Sequence, residues 1–300
     1  MKILLSTDGS VYSDGAAYFL ARFDFTENDE ITVLHVVHGR TFSHSSDTNY
    51  AALMQIGEEI APGIVDETAG LLKNLPAKVS TAVATGHPAE GILHVAAQTA
   101  SDLIVMGNRG MKAIGSLLLG SVTRAVAIKA PQSVLVVKPP QGRPDGPIRV
   151  LFATDGSDCA RETERILSLL PFHPDTSITA VYVSLLTYMD IPDRFCPGFD
   201  ERLKKVMTGM KEAETHHAEK VLEQARSRLK GRFQNVSVLI RNGDPSEQLL
   251  QAARETQADV IALGSRGMGG VSGMLGSVAR NVLSHADCSV LICKLKEETA

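Results

Sequence analysis

The chain has 300 residues, 44% hydrophobic and 21% charged, an ordinary globular composition with enough apolar material for about two domains. It excludes a disordered chain, a collagen and a disulfide scaffold, and a formal net charge of -4 gives no sign of a nucleic-acid binder. No run approaches the ~18 apolar residues of a membrane span. The apolar start, Ile3 to Leu5, is too short for a secretory signal. Cys159, Cys196, Cys288 and Cys293 all lie in the second half with no CxxC pair, which predicts a reduced, cytoplasmic protein with structural thiols.

In chain order, β-rich runs at 2–7, 31–37, 78–84, 102–106 and 133–138 alternate with helical patterns at 11–22, within 50–74, at 88–99 and at 121–129. Pro62-Gly63 interrupts the second helical pattern. Leu103 to Met106 is apolar at every position, which suits a parallel strand buried on both faces. The run from Pro139 to Pro147 is rich in Pro and Gly and reads as a linker.

The pattern then repeats. Lys2 to Ser10 (KILLSTDGS) matches Arg149 to Ser157 (RVLFATDGS), Gly107 to Met111 (GNRGM) matches Gly264 to Met268 (GSRGM), and Ser133 to Lys138 matches Ser289 to Lys294. The region matching 50–74, about 199–230, is a longer and cleaner amphipathic helix. The expected architecture is α/β: two tandem Rossmann-like domains at 1–139 and 148–296, each a five-stranded parallel sheet with helices on both faces and its own core, joined by a linker at 140–147.

Ligands of such sheets bind at the carboxyl ends of the strands, where strand order reverses. Three segments of the first copy reach that edge: Thr7-Asp8-Gly9-Ser10, Val36, and Gly107-Asn108-Arg109-Gly110 followed, after nine residues, by Gly120-Ser121. Glycines permit positive φ and close approach of a ligand, and the free N–H groups and dipole of a helix starting at Ser121 favour phosphate. Asp8 offers a carboxylate to ribose hydroxyls or a hydrated metal, against a plain turn role for Asp-Gly-Ser. A Walker A loop is excluded because Ser121 stands where Lys is required, and no G-x-G-x-x-G follows the first strand.

These residues resemble the universal stress protein family over nearly the whole chain, in two tandem copies. The family's nucleotide-binding members carry G-x2-G-x9-G-[ST], which Gly107, Gly110, Gly120 and Ser121 reproduce. The resemblance implies a site of Thr7, Asp8, Val36, Met106, Gly107, Gly110, Gly120, Ser121 and Val122 that binds ATP, with or without Mg2+. It implies no catalytic residue and no protein metal site, and a regulatory role in stress survival with little or slow hydrolysis. A second site would use Thr154, Asp155, Val183, Leu263, Gly264, Gly267, Gly276, Ser277 and Val278. There only eight residues separate Gly267 from Gly276, and the missing one is expected to move the helix start by up to ~3.5 Å.

Arg109 and Arg266 read as loop charges rather than phosphate ligands. His216 and His217 point about 100° apart and read as surface residues. Single-copy relatives imply pairing through the last strands, so Ser133 to Lys138 and Ser289 to Lys294 are expected to meet antiparallel, making the chain a pseudo-dimer that can dimerise further. Two rivals stand beside the ATP reading: an interaction module of the same family that needs no nucleotide, and a nucleotide-dependent enzyme such as an adenylyl-transferring protein. The partners expected are an adenine nucleotide, with neither nucleic acid nor membrane.

Overall fold

The computed structural model describes residues 1–39, 48–110, 119–138, 146–184, 201–267 and 274–295. The first copy runs β1 (Lys2–Thr7), α1 (Val11–Leu20), β2 (Glu30–His38), α2 (Thr48–Gly70), β3 (Lys78–Gly86), α3 (Pro88–Gln98), β4 (Leu103–Gly107), α4 (Ser121–Lys129) and β5 (Ser133–Val137). The second runs β6 (Arg149–Ala153), α5 (Asp158–Leu169), β7 (Ser177–Ser184), α6 (Glu201–Leu229), β8 (Asn235–Asn242), α7 (Pro245–Glu255), β9 (Val260–Gly264), α8 (Ser277–His285) and β10 (Ser289–Cys293). The linker run from 139 to 145 lies outside the described residues.

Each copy forms a parallel sheet, in the orders β3-β2-β1-β4-β5 and β8-β7-β6-β9-β10. The two join because β5 pairs antiparallel with β10, Leu135 opposite Leu291, so one ten-stranded sheet crosses the chain. Side chains alternate across the strands as the pleat requires: Ile3 and Leu5 belong to the apolar layer that also holds residues of α1, α2, α5 and α6, while Leu4 belongs to the layer of α3, α4, α7 and α8. Each of the two apolar layers contains residues of both copies. Separate cores for the two domains were expected. Instead the paired central strands carry both layers across the seam.

Pro62 does not end α2. Its ring faces solvent, while Ala61, Val65, Thr68 and Leu72 form a buried stripe at helical spacing. Burial of that stripe against the sheet outweighs the one lost backbone hydrogen bond.

Candidate functional site

The turn after β1 and the loop after β4 meet at the carboxyl edge, beside the point where strand order reverses. Gly9, at φ +74, turns the chain, the Asp8 carboxylate (Oδ1) accepts the Ser10 N–H at 3.2 Å, and the Ser10 hydroxyl caps α1 by accepting the Ser13 N–H at 3.4 Å. Copy two repeats this with Gly156 at φ +77, Asp155 on Ser157 at 2.9 Å and Ser157 on Ala160 at 3.3 Å. The turn role of the aspartates is therefore present, and it uses one carboxylate oxygen. The other oxygen of Asp8 lies where a Cβ on Gly110 would stand, and Asp155 Oδ2 lies 2.7 Å from the corresponding point on Gly267. Each carboxylate thus bridges the turn and the glycine loop, and the second motif glycine makes room for it. Burial, then the charges of Glu67 and Asp8, push the Asp14 carboxyl above its usual range.

Glycine permits positive φ, but Gly107, Gly110, Gly120, Gly264, Gly267 and Gly276 are not among the positive-φ residues. Gly107 is required by packing: a Cβ there would stand 2.7 Å from the Tyr12 carbonyl oxygen of α1. Gly264 likewise lets Cys159 of α5 approach, with only 2.7 Å between the two Cβ positions. Gly120 differs. It has φ -59 and ψ 146, and a Cβ would make ordinary contact at 3.4 Å with the Asn108 oxygen, so the fold itself does not demand glycine there. Ser121 and Val122 form the open first turn of α4, and Ser277 and Val278 that of α8.

The shorter spacing in copy two does not displace its helix. The Gly120 N–H donates to the Asn108 carbonyl at 2.9 Å, and the Gly276 N–H to the Ser265 carbonyl at 2.8 Å. These bonds fix both helix starts alike. The length difference falls within 111–118 and 268–273, outside the described residues.

Val36 and Met106, both buried, stand near the ends of β2 and β4 on the α3/α4 side, and Val183 and Leu263 take the equivalent places in copy two. They form an apolar wall beside the edge. Thr7 turns the other way: its hydroxyl joins Ser13 at 3.1 Å and Thr68 at 3.0 Å between α1 and α2. The Thr154 hydroxyl accepts the Gly156 N–H at 3.3 Å. Both threonines support the turn more directly than they face the edge. The Arg109 guanidinium lies over the Tyr12 ring at 5.8 Å, in keeping with a loop role. His216 and His217 are exposed on α6.

Sequence reasoning missed Asn108, buried in the motif with its Oδ1 unpartnered among the described residues, at a position the motif leaves free. It also missed His35, whose Nδ1 meets the Thr7 carbonyl at 2.9 Å. The second copy has Tyr182 there, donating to Glu214 at 3.0 Å and pushed up to about 12 by burial and then by that bond. Because the residue type changes between copies, the repeat hid this position.

The fold and its paired central strands define a tandem α/β protein of two like halves. The Universal stress protein family matches residues 1–138 and 148–294, and the chain belongs to that family as two tandem copies. It is 26% identical over 301 residues to a universal stress protein of Mycolicibacterium smegmatis, covering 97% of this chain and 96% of that one. A universal stress protein of Thermus aquaticus is 32% identical over 147 residues, 48% of this chain and 97% of its own. The crystal structure of a universal stress protein from Archaeoglobus fulgidus shares the fold, with a TM-score of 0.62 at 23% identity over 98% of this chain and 96% of that one. No described helix is long and apolar enough to cross a membrane.

Proposed function

We propose that the chain is an adenine-nucleotide-binding regulatory member of its family, holding ATP at the carboxyl edge of copy one. The observation that carries this reading is Gly120, a glycine that neither its backbone angles nor its neighbours require, at the uncapped start of α4. A missing side chain there leaves backbone N–H groups open to phosphate oxygens. In this reading the base lies against Val36 and Met106, Asp8 accepts from the ribose, and Gly107, Gly110, Gly120, Ser121 and Val122 border the phosphates. The buried Asn108 Oδ1, without a partner among the described residues, offers an acceptor to a ligand donor. Neither a phosphate-loop lysine nor a recognisable general base supports fast turnover. The second copy offers the same arrangement on a shorter loop.

Calorimetric titration of the purified chain with ATP tests the reading. Saturable binding that Gly120→Val abolishes while the circular dichroism stays native supports it. Absence of binding, or wild-type affinity in Gly120→Val, overturns it and leaves the nucleotide-independent interaction module.

A further inference from the structure

Two lysines placed directly after the central strands reach across the seam. Lys138 follows β5 and is buried, and its Nζ donates to the carbonyl oxygens of Leu283, at 3.1 Å, and Ala286, at the C-terminal end of α8. Lys294 follows β10, and its Nζ donates to the Ile128 carbonyl at 3.2 Å, at the C-terminal end of α4. The backbones lock the same crossing: the Lys138 N–H donates to the Ser289 hydroxyl and the Lys294 N–H to the Ser133 hydroxyl, both at 3.2 Å. An ammonium at a helix C-terminus meets carbonyls left without intrahelical partners and the negative end of the helix dipole.

The helices held in this way are the two that begin at the candidate sites. Ser10, Ser157 and Asp244 cap the starts of α1, α5 and α7 with side-chain hydrogen bonds. The starts of α4 and α8 have bare glycines and no side-chain cap; α3, behind His87, lacks one too, but Pro88 at its start has no N–H to cap. The start of each helix is tied to the loop of its own half through the Asn108 and Ser265 carbonyls, and its far end is tied to the other half by a lysine. A nine-residue helix is about 14 Å long, and anchoring one end sets where the other points. Each lysine is also tied to the loop of its own half. The Val137 carbonyl, next to Lys138, accepts the Asn108 N–H at 2.9 Å, and the Cys293 carbonyl, next to Lys294, accepts the Ser265 N–H at 2.8 Å.

We infer that Lys294 is a positioning residue for nucleotide phosphates at the copy-one site, and Lys138 for those at copy two, so that each half completes the site of the other. The inference rests on the nucleotide reading above. It makes the two sites mutually dependent, because the strand end that supports one glycine loop continues into the lysine that fixes the helix of the other.

The test is ATP titration of the full-length Lys294→Met, Lys294→Arg and Lys138→Met chains, with the melting temperature of each measured without ligand. Lys294→Met is expected to weaken the copy-one site about fivefold. Lys294→Arg, which can still donate to the Ile128 carbonyl, is expected to restore most of that loss. Lys138→Met, acting on α8, is expected to weaken copy one less than half as much. A purely structural staple would lower the melting temperature in both methionine variants and leave ATP affinity where it was, and that result overturns the inference. Equal losses in Lys294→Met and Lys138→Met at copy one also overturn it, with the nucleotide reading intact. A wild-type chain that binds no ATP overturns both.

Discussion

Leu135 of β5 stands opposite Leu291 of β10 at the middle of the antiparallel pair, and both point into the layer shared by α1, α2, α5 and α6. Neither copy closes its core without the other. Leu291→Ala should therefore cost on the order of 2–5 kcal/mol, as for other fully buried leucines, and the cost should be felt by the whole chain. Urea denaturation followed both by circular dichroism and by proteolysis of fragments from each half is expected to show coincident transitions. Two separated transitions, with only the second half destabilised, would show that the copies fold as independent units.

Gly107 and Gly120 belong to one motif and answer to different forces. Gly107→Ala drives a Cβ to 2.7 Å from the Tyr12 carbonyl, a contact that only movement of α1 can relieve. It should lower stability by about 1–3 kcal/mol. Gly120→Ala makes ordinary contacts at backbone angles open to any residue, and its stability should stay within about 0.5 kcal/mol of wild type. Measuring stability and ATP affinity together separates them: the first variant loses stability, the second affinity. Equal stability losses would mean that Gly120 is also a packing glycine.

The repeat made most of the fold legible. Matched Asp-Gly-Ser turns and all-apolar strands pointed to both sheets, because those signals depend on local chemistry and on strand burial, whereas the central pairing was implied by the resemblance to single-copy relatives. Three things were not legible. Pro62 inside α2 looked like a break because sequence shows the lost hydrogen bond and not the buried Ala61, Val65 and Thr68 that offset it. The reasons for the glycines were hidden because Gly107 is explained by Tyr12, far away in sequence, and Gly110 by Asp8. The role of the lysines after β5 and β10 had no signal in the sequence, since their partners are main-chain carbonyls of the other copy and carry no side-chain signature.

Alkaline pH should reveal the shielded thiols, Cys293 buried and Cys288 partly so. Burial pushes Cys288 from an ordinary 9.0 up to about 11, although the nearby Lys138 charge opposes the shift, and pushes Cys293 to about 12. The folded thiols therefore keep their protons where the unfolded chain has already released them, so the unfolded state binds fewer protons and stability falls as pH rises above 9. Burial lowers the lysine pair, Lys138 and Lys294, which works in the opposite direction as pH climbs toward 10.5. The thiol part is isolated by comparing wild type with Cys288→Ser. Between pH 9 and 11 the variant should lose on the order of 2–3 kcal/mol less stability than wild type. Parallel stability curves across that range would show that the Cys288 thiol ionises as it does in water.

The two carboxylates that bridge turn and loop give the sharpest comparison between copies. Asp8 and Asp155 make the same turn bond, and their second oxygens lie over Gly110 and Gly267 in the same way. The helix starts are tied to the loops by matching bonds of 2.9 and 2.8 Å. The copies differ in the segment before the helix, eight residues before Gly276 against nine before Gly120, in Ser265 for Asn108, in Leu263 for Met106 and in Tyr182 for His35. With one residue fewer before its helix, copy two is expected to hold the same nucleotide less tightly. Calorimetry on the wild-type chain is expected to resolve a tight site and a weaker one. Asp8→Ala should remove the tight event, and Asp155→Ala should remove the weak one while shifting the tight one less than twofold. Two equal sites in wild type, each weakened alike by its own aspartate substitution, would show that the shorter segment costs nothing and that copy two is a full partner in binding.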